Sequence, residues 1–215
     1  MTETLSLRAK IEQSPMGAYQ WMIVVMAAIM NLLDGFDVLA LAFTATAIRG
    51  EFGLTGIELG YLLSAGLFGM TAGSLFLAPL ADKIGRRPLL LMAVSLSAIG
   101  MLGSAFISQY QWLGFWRVIT GLGVGGILVG TNVITSEYSS RKWRSFAISV
   151  YAAGFGIGAV LGGMFAVMLQ GEYGWRSVFL AGAILTGLLL VVLFIWLPES
   201  IDFLTSKQPK NAEVR

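Results

Sequence analysis

The sequence predicts an all-α polytopic membrane protein with six transmembrane helices, and three observations carry that prediction. Hydrophobic residues make up 56% of the chain and charged residues only 12%. Several apolar runs reach the roughly 20 residues that a helix needs to cross a bilayer. Most of the charges fall in short stretches between those runs or in the two ends of the chain.

Residues 1–17 are polar and mixed in charge, with Arg8 and Lys10, and read as a solvated terminus or a short interfacial helix. They do not form a cleavable signal peptide, so the first span is expected to be retained. That span covers 19–48 and opens on the interfacial aromatics Tyr19 and Trp21. A short polar loop leads to span 2, 58–81. The stretch Asp82-Lys83-Ile84-Gly85-Arg86-Arg87-Pro88 then reads as a tight charged hairpin.

Span 3 covers 88–107, and an uncharged turn follows at 108–111. Span 4, 112–135, begins with Trp112, Phe115 and Trp116, aromatics suited to an interface. A second charged hairpin runs from Glu137 through Arg141 and Lys142 to Arg144. Span 5 is 145–169 and span 6 is 175–197, closed by Pro198. The expected organisation is a tail at 1–18, a six-helix bundle at 19–197 and a polar tail at 198–215. Six alternating spans put nearly all lysines and arginines on one side, with Arg49 and Arg176 on the other. Both termini should therefore be cytoplasmic, in a cell (inner) membrane.

The absence of cysteine and histidine removes thiol catalysis, Cys/His zinc sites and a histidine relay. Any proton carrier is then a carboxylate. No Gly-x-x-x-x-Gly-Lys-Ser/Thr phosphate loop appears, so direct ATP-driven pumping has no support. The net charge of +2 is explained by membrane orientation rather than by nucleic acid. No enzyme activity, metal or cofactor is expected.

Span 1 carries a polar knot, Asn31-Leu32-Leu33-Asp34-Gly35-Phe36-Asp37. A carboxylate at the centre of a membrane helix costs about 2.5–3.5 kcal/mol on insertion scales, so such acids mark substrate or ion pathways by default. Asn31, Asp34 and Asp37 are spaced i, i+3, i+6 and share one side of a helix, where they can line one cavity. The plainer alternative is a structural pairing with buried bases. Gly35 lets a helix or a ligand approach closely.

Arg117, a few residues into span 4, either pairs with Asp34, Asp37 or a substrate carboxylate, or snorkels to the surface. The glycines of spans 2, 4 and 5 (Gly69 and Gly73; Gly121 and Gly125; Gly154, Gly158 and Gly162) recur every four residues. That spacing suits close helix packing, with sliding surfaces as a further possibility.

The hairpin Asp82–Pro88 resembles the Asp-(Arg/Lys)-x-Gly-Arg-(Arg/Lys) motif between spans 2 and 3 of the major facilitator superfamily. The family's usual glycine four residues before the aspartate is Ala78 here. Arg117 with Gly121, Gly123 and Gly125 resembles the family's span 4 pattern. Glu137 with Arg141 resembles its second cytoplasmic hairpin, and Pro198-Glu199-Ser200 its close after span 6. Asp34-Gly35-Phe36-Asp37 is similar to the Asp-Gly-x-Asp element of the aromatic acid:proton symporters. Gly158 is followed by Ala159 instead of the proline of antiporters, which favours symport.

The resemblance implies the N-terminal half of a major facilitator fold, built of two inverted three-helix repeats, with substrate between the two halves. It implies proton-coupled symport of an aromatic or muconate-like carboxylate, with Asp34, Asp37 and Arg117 in transport. It also makes Asp82, Lys83, Gly85, Arg86 and Arg87 a conformational switch. The expected partners are a small organic acid, protons, the lipid bilayer, and a missing C-terminal half or a second copy. A sugar or other metabolite carrier on the same scaffold, or a membrane interaction fragment that transports nothing, are the alternatives. The two acids of span 1 would titrate as a pair, one cycling its proton as the cavity alternates sides.

Overall fold

The computed structural model describes residues 15–207. Six long helices follow one another: α1 Ala18–Phe52, α2 Gly56–Ile84, α3 Arg86–Ala105, α4 Tyr110–Tyr138, α5 Arg144–Tyr173 and α6 Trp175–Trp196. A short helix, α7 Ile201–Lys207, closes the described chain. All six long helices are apolar enough and long enough to span a membrane. The interfacial-helix expectation for the N-terminal tail lies almost wholly outside the described residues.

Four of the helices, α1, α2, α4 and α5, overrun the expected spans because nothing in the flanking sequence stops them. By contrast, α3 is shifted by two residues and α6 ends one residue early. α1 has 35 residues, about 52 Å at 1.5 Å per residue. It continues through Arg49-Gly50-Glu51 until Gly53, whose left-handed φ of 64° lets its N–H bond back to Arg49 O. α2 starts two residues earlier than expected at a capping box: Thr55 Oγ1 accepts from Glu58 N at 3.3 Å, and Glu58 Oε2 accepts from Thr55 N at 2.8 Å.

The charged hairpin 82–88 is shorter than the sequence suggested. Asp82 and Lys83 belong to the last turn of α2, Arg86 and Arg87 open α3, and Gly85 alone makes the turn at φ 103°. The second hairpin likewise shrinks: Glu137 lies in the last turn of α4, Arg144 begins α5, and 139–143 connect them.

Packing follows a two-fold plan between the halves α1–α3 and α4–α6. α2 lies along α4, α5 lies along α1, and α3 and α6 pair behind them. Glycine makes both close contacts possible. A Cβ at Gly69 or Gly73 would strike the backbone of Val118 or Leu122 on α4, and one at Gly154 or Gly158 the backbone of Ala28 or Leu32 on α1. Gly35 faces Phe155 in the same way, so what approaches it is a helix. In lipid, where apolar burial gives little net drive, such backbone proximity is a main source of association energy.

Two apolar clusters fill the bundle. One contains Met26, Met30, Leu90, Val94, Ile134 and Leu193; the other contains Phe36, Leu41, Met101, Leu113, Trp175 and Phe179. On α1 they are separated by residues 31–35, so a polar layer crosses the middle of the bundle.

Candidate functional site

Asp37 and Arg117 meet just beyond that layer, among residues of the second cluster: Arg117 lies against Met101 and Phe179. α4 begins at Tyr110, which puts Arg117 two turns inside the helix rather than at its surface end. The side chain is 4% exposed, so the snorkelling alternative does not hold. Its Nη1 lies 3.1 Å from Asp37 Oδ1. Nη2 donates to Ser104 Oγ at 3.1 Å and Thr120 Oγ1 at 3.0 Å, and the guanidinium stacks 4.9 Å from the Phe179 ring centroid. Ser97 Oγ donates to the other Asp37 oxygen at 2.6 Å. Four helices, α1, α3, α4 and α6, thus converge on one ion pair.

A narrow cleft with a cavity volume of about 40 Å³, partly open to solvent, adjoins the pair between α1, α2 and α4. Asp37, Arg117 and Thr120 form its polar edge, and Leu41, Leu63, Leu67, Met70 and Val124 its apolar walls. The combination of one charged corner and an apolar body matches a small amphipathic anion.

The expectation that Asn31, Asp34 and Asp37 line one cavity together is met by Asp37 alone. Asn31 and Asp34 share its side of α1 and are as deeply buried as Asp37, but they are not among the residues that line this cleft. Asn31 Nδ2 donates to Tyr151 O of α5 at 2.8 Å, and the Tyr151 hydroxyl is bonded to Thr131 Oγ1 of α4 at 3.1 Å. Asn31 Oδ1 and Asp34 Oδ2 have no hydrogen-bond partner among the described residues. A buried acceptor left unpaired costs about 1–3 kcal/mol, so two such atoms on one helix face call for a functional reason.

At the end of the bundle that holds the Gly85 turn, Glu199 does what the sequence did not assign to it. Its Oε1 accepts from the backbone N–H of Arg86 at 2.7 Å and of Arg87 at 3.0 Å, capping α3. Glu137 caps α7 in the same manner, accepting from Ser200 Oγ at 2.7 Å and Ile201 N at 2.8 Å. Arg86 pairs with Asp82, and Arg87 Nη2 donates to Phe194 O at 2.7 Å. Lys83 and Arg141 are exposed, Arg141 makes no ion pair with Glu137, and Arg144 is partly buried at the start of α5.

The sequence also left Ser97, Ser104, Thr120, Tyr151 and Phe179 unremarked. Each sits in a strongly apolar helix. A serine or threonine there more often bonds the carbonyl one turn back, as Ser104 and Thr120 also do with Gly100 O and Trp116 O. Glu199 did carry a signal, in the Pro-Glu-Ser triplet.

The family profile described as Major Facilitator Superfamily matches residues 27–213. The chain belongs to the major facilitator superfamily. Among curated relatives, the gallate transporter of Pseudomonas putida is 36% identical over 95% of this chain and 45% of its own length. The 4-hydroxybenzoate transporter PcaK of Pseudomonas putida is 34% identical over 99% of the chain and 48% of its own. The cis,cis-muconate transport protein of Acinetobacter baylyi is 29% identical over 87% and 46%. The chain therefore spans about half the length of the curated relatives it matches.

Among solved structures, the proton:xylose symporter XylE superposes with a TM-score of 0.83 at 22% identity, over 92% of this chain and 49% of XylE. That likeness establishes the major facilitator fold of the six helices and does not bear on substrate.

Proposed function

We propose that this chain is the N-terminal half of a secondary active transporter that moves an organic carboxylate, aromatic or muconate-like, across the cytoplasmic membrane together with protons. The observation that carries the reading is the buried Arg117–Asp37 pair at the edge of an apolar cleft. The names of the relatives, gallate, 4-hydroxybenzoate and muconate transporters, support the substrate class.

The chemistry is competition for one cation. A substrate carboxylate offers Arg117 the same planar, bidentate contact that a protein carboxylate does. With Asp37 ionised, Arg117 is occupied, and a second anion beside it is repelled. Protonation of Asp37 removes that charge and frees the guanidinium for substrate, so proton and anion bind together. Departure of the anion restores the internal pair as the proton leaves. Asp34, on the same face, is the second acid through which the proton can be shared.

The turn residues Asp82, Lys83, Gly85, Arg86 and Arg87, with Glu137, Arg141 and Arg144, act as the conformational switch at the cytoplasmic end. Residues 1–18 and 198–215 lie on that side, which the excess of lysine and arginine there supports. The substrate site is completed by a C-terminal half or a second copy, since the superfamily builds its site between repeats.

Uptake of labelled 4-hydroxybenzoate by vesicles carrying the chain with its second half tests the reading. Accumulation driven by an inward proton gradient, and unaffected by excess xylose, is expected. Accumulation of xylose without the aromatic acid would overturn it.

A further inference from the structure

The end of the bundle that holds the Gly85 turn carries a concave site distinct from the Asp37–Arg117 cleft. An open groove of about 430 Å³ lies where the start of α1, the start of α3 and the end of α6 meet. Tyr19, Met22, Arg87, Ile195, Trp196 and Pro198 line it. Arg87 is its charged group and is only partly matched. Nη2 donates to Phe194 O at 2.7 Å, which fixes the guanidinium against α6. Nε has no hydrogen-bond partner among the described residues. The nearby carboxylates are committed elsewhere: Asp82 pairs with Arg86, and Glu199 accepts from the Arg87 amide rather than from its guanidinium. A guanidinium with unused donors and no counter-ion is suited to an oxyanion.

The surroundings select which oxyanion. Ile184, Leu188, Val191 and Ile195, each more than half exposed, recur at i, i+4, i+7 and i+11, so one apolar stripe of α6 runs into the groove. From Ile184 to Ile195 the helix rises about 16 Å. That is the depth of one leaflet, half of a hydrocarbon core roughly 30 Å thick. Tyr19 and Trp196, both exposed, stand in the groove with the cation, as aromatics do at a membrane interface. A soluble anion would use the arginine alone. A ligand with an anionic head and a tail one leaflet long uses the stripe as well.

We propose that this groove binds the headgroup of an anionic phospholipid, with the phosphate at Arg87, the headgroup beside Tyr19 and Trp196, and an acyl chain along the α6 stripe. The site is separate from substrate binding and does not depend on what the protein carries. Charge complementarity sets the preference: a net negative headgroup gains from Arg87, whereas a zwitterionic one brings its own cation to the same place.

Native mass spectrometry of the protein with its second half, released from a neutral detergent containing equal amounts of phosphatidylglycerol and phosphatidylcholine, tests the proposal. Wild type is expected to hold one phosphatidylglycerol with a Kd about fivefold below that of phosphatidylcholine, the scale of one basic residue against an anionic lipid. Arg87→Gln should bring the two lipids to within about twofold. Ile195→Glu should do the same by setting a carboxylate at the groove, and its exposed position keeps the test valid if Arg87→Gln fails to fold. Arg176→Gln, at the opposite end of the bundle, should keep the preference. Equal binding of the two lipids by wild type overturns the proposal, as does a preference that survives either groove variant or is lost in Arg176→Gln. Displacement of the lipid by an equal concentration of glycerol 3-phosphate would make the groove a site for a soluble anion and overturn it too.

Discussion

Arg117 and Asp37 form an ion pair 3.1 Å apart in the middle of the bundle, with both side chains almost wholly removed from solvent. Taking one partner away from such a pair leaves an uncompensated buried charge, a loss of about 3–5 kcal/mol. The pair is therefore costly to break unless something replaces the lost partner, which is what a proton on Asp37 and a carboxylate on Arg117 do jointly.

Lysine cannot reproduce the fork that Arg117 extends to Asp37, Ser104 and Thr120. Arg117→Lys is expected to raise the KM for an aromatic carboxylate at least about tenfold, the scale of one lost charge-assisted hydrogen bond, while charge at the site is kept. Initial-rate uptake over a range of substrate concentrations measures it.

Glycine spacing on α5 sets how close α1 can lie. Gly158→Val would drive side-chain atoms into the Leu32 backbone, and overpacking of that kind costs about 1–3 kcal/mol. Gly156, two residues earlier, has nothing within 4 Å of an added Cβ. Gly156→Ala should leave the melting temperature of the purified protein unchanged or slightly raised, and Gly158→Val should lower it by several degrees.

Glu199 ties the α2–α3 turn to the segment after α6. Glu199→Ala removes the acceptor for the Arg86 and Arg87 amides and should destabilise the protein by about 0.5–2 kcal/mol, with Glu199→Gln retaining most of the stability. Gly85→Ala should be at least as damaging. It combines a φ of 103° with a Cβ pressed against the Glu199 carboxylate. Thermal unfolding of the three variants ranks them.

At the opposite end, Arg176 pairs with Glu51 at 2.7 Å with both side chains 40% exposed. Solvent screening keeps such a pair within about 0–1 kcal/mol. Arg176→Gln should shift the melting temperature far less than any change to Arg117, a direct comparison of an exposed and a buried ion pair.

Much of this was legible in the sequence for physical reasons. Apolar runs longer than a bilayer is thick read as spanning helices, and glycines four apart on facing helices suit a close approach of backbones. The polar knot of α1 was visible because carboxylates stand out against hydrocarbon. The division of labour within it was not. Asp34 and Asp37 read alike, and only the fold shows that Ser97 and Arg117 reach one and not the other. The depth of Arg117 was open because it depended on where α4 starts, and the two turns from Tyr110 settle it. The meeting of Gly85 with Glu199 joins residues more than a hundred positions apart, beyond any local signal.

The most direct test of the account is the pH change outside proteoliposomes that contain the transporter with its second half, on addition of 4-hydroxybenzoate, for wild type and Asp37→Asn. Proton-coupled uptake predicts external alkalinisation with wild type and none with Asp37→Asn, whose Arg117 has lost its titratable partner. Equal alkalinisation from both proteins would contradict the claim that the Asp37–Arg117 pair couples proton to substrate.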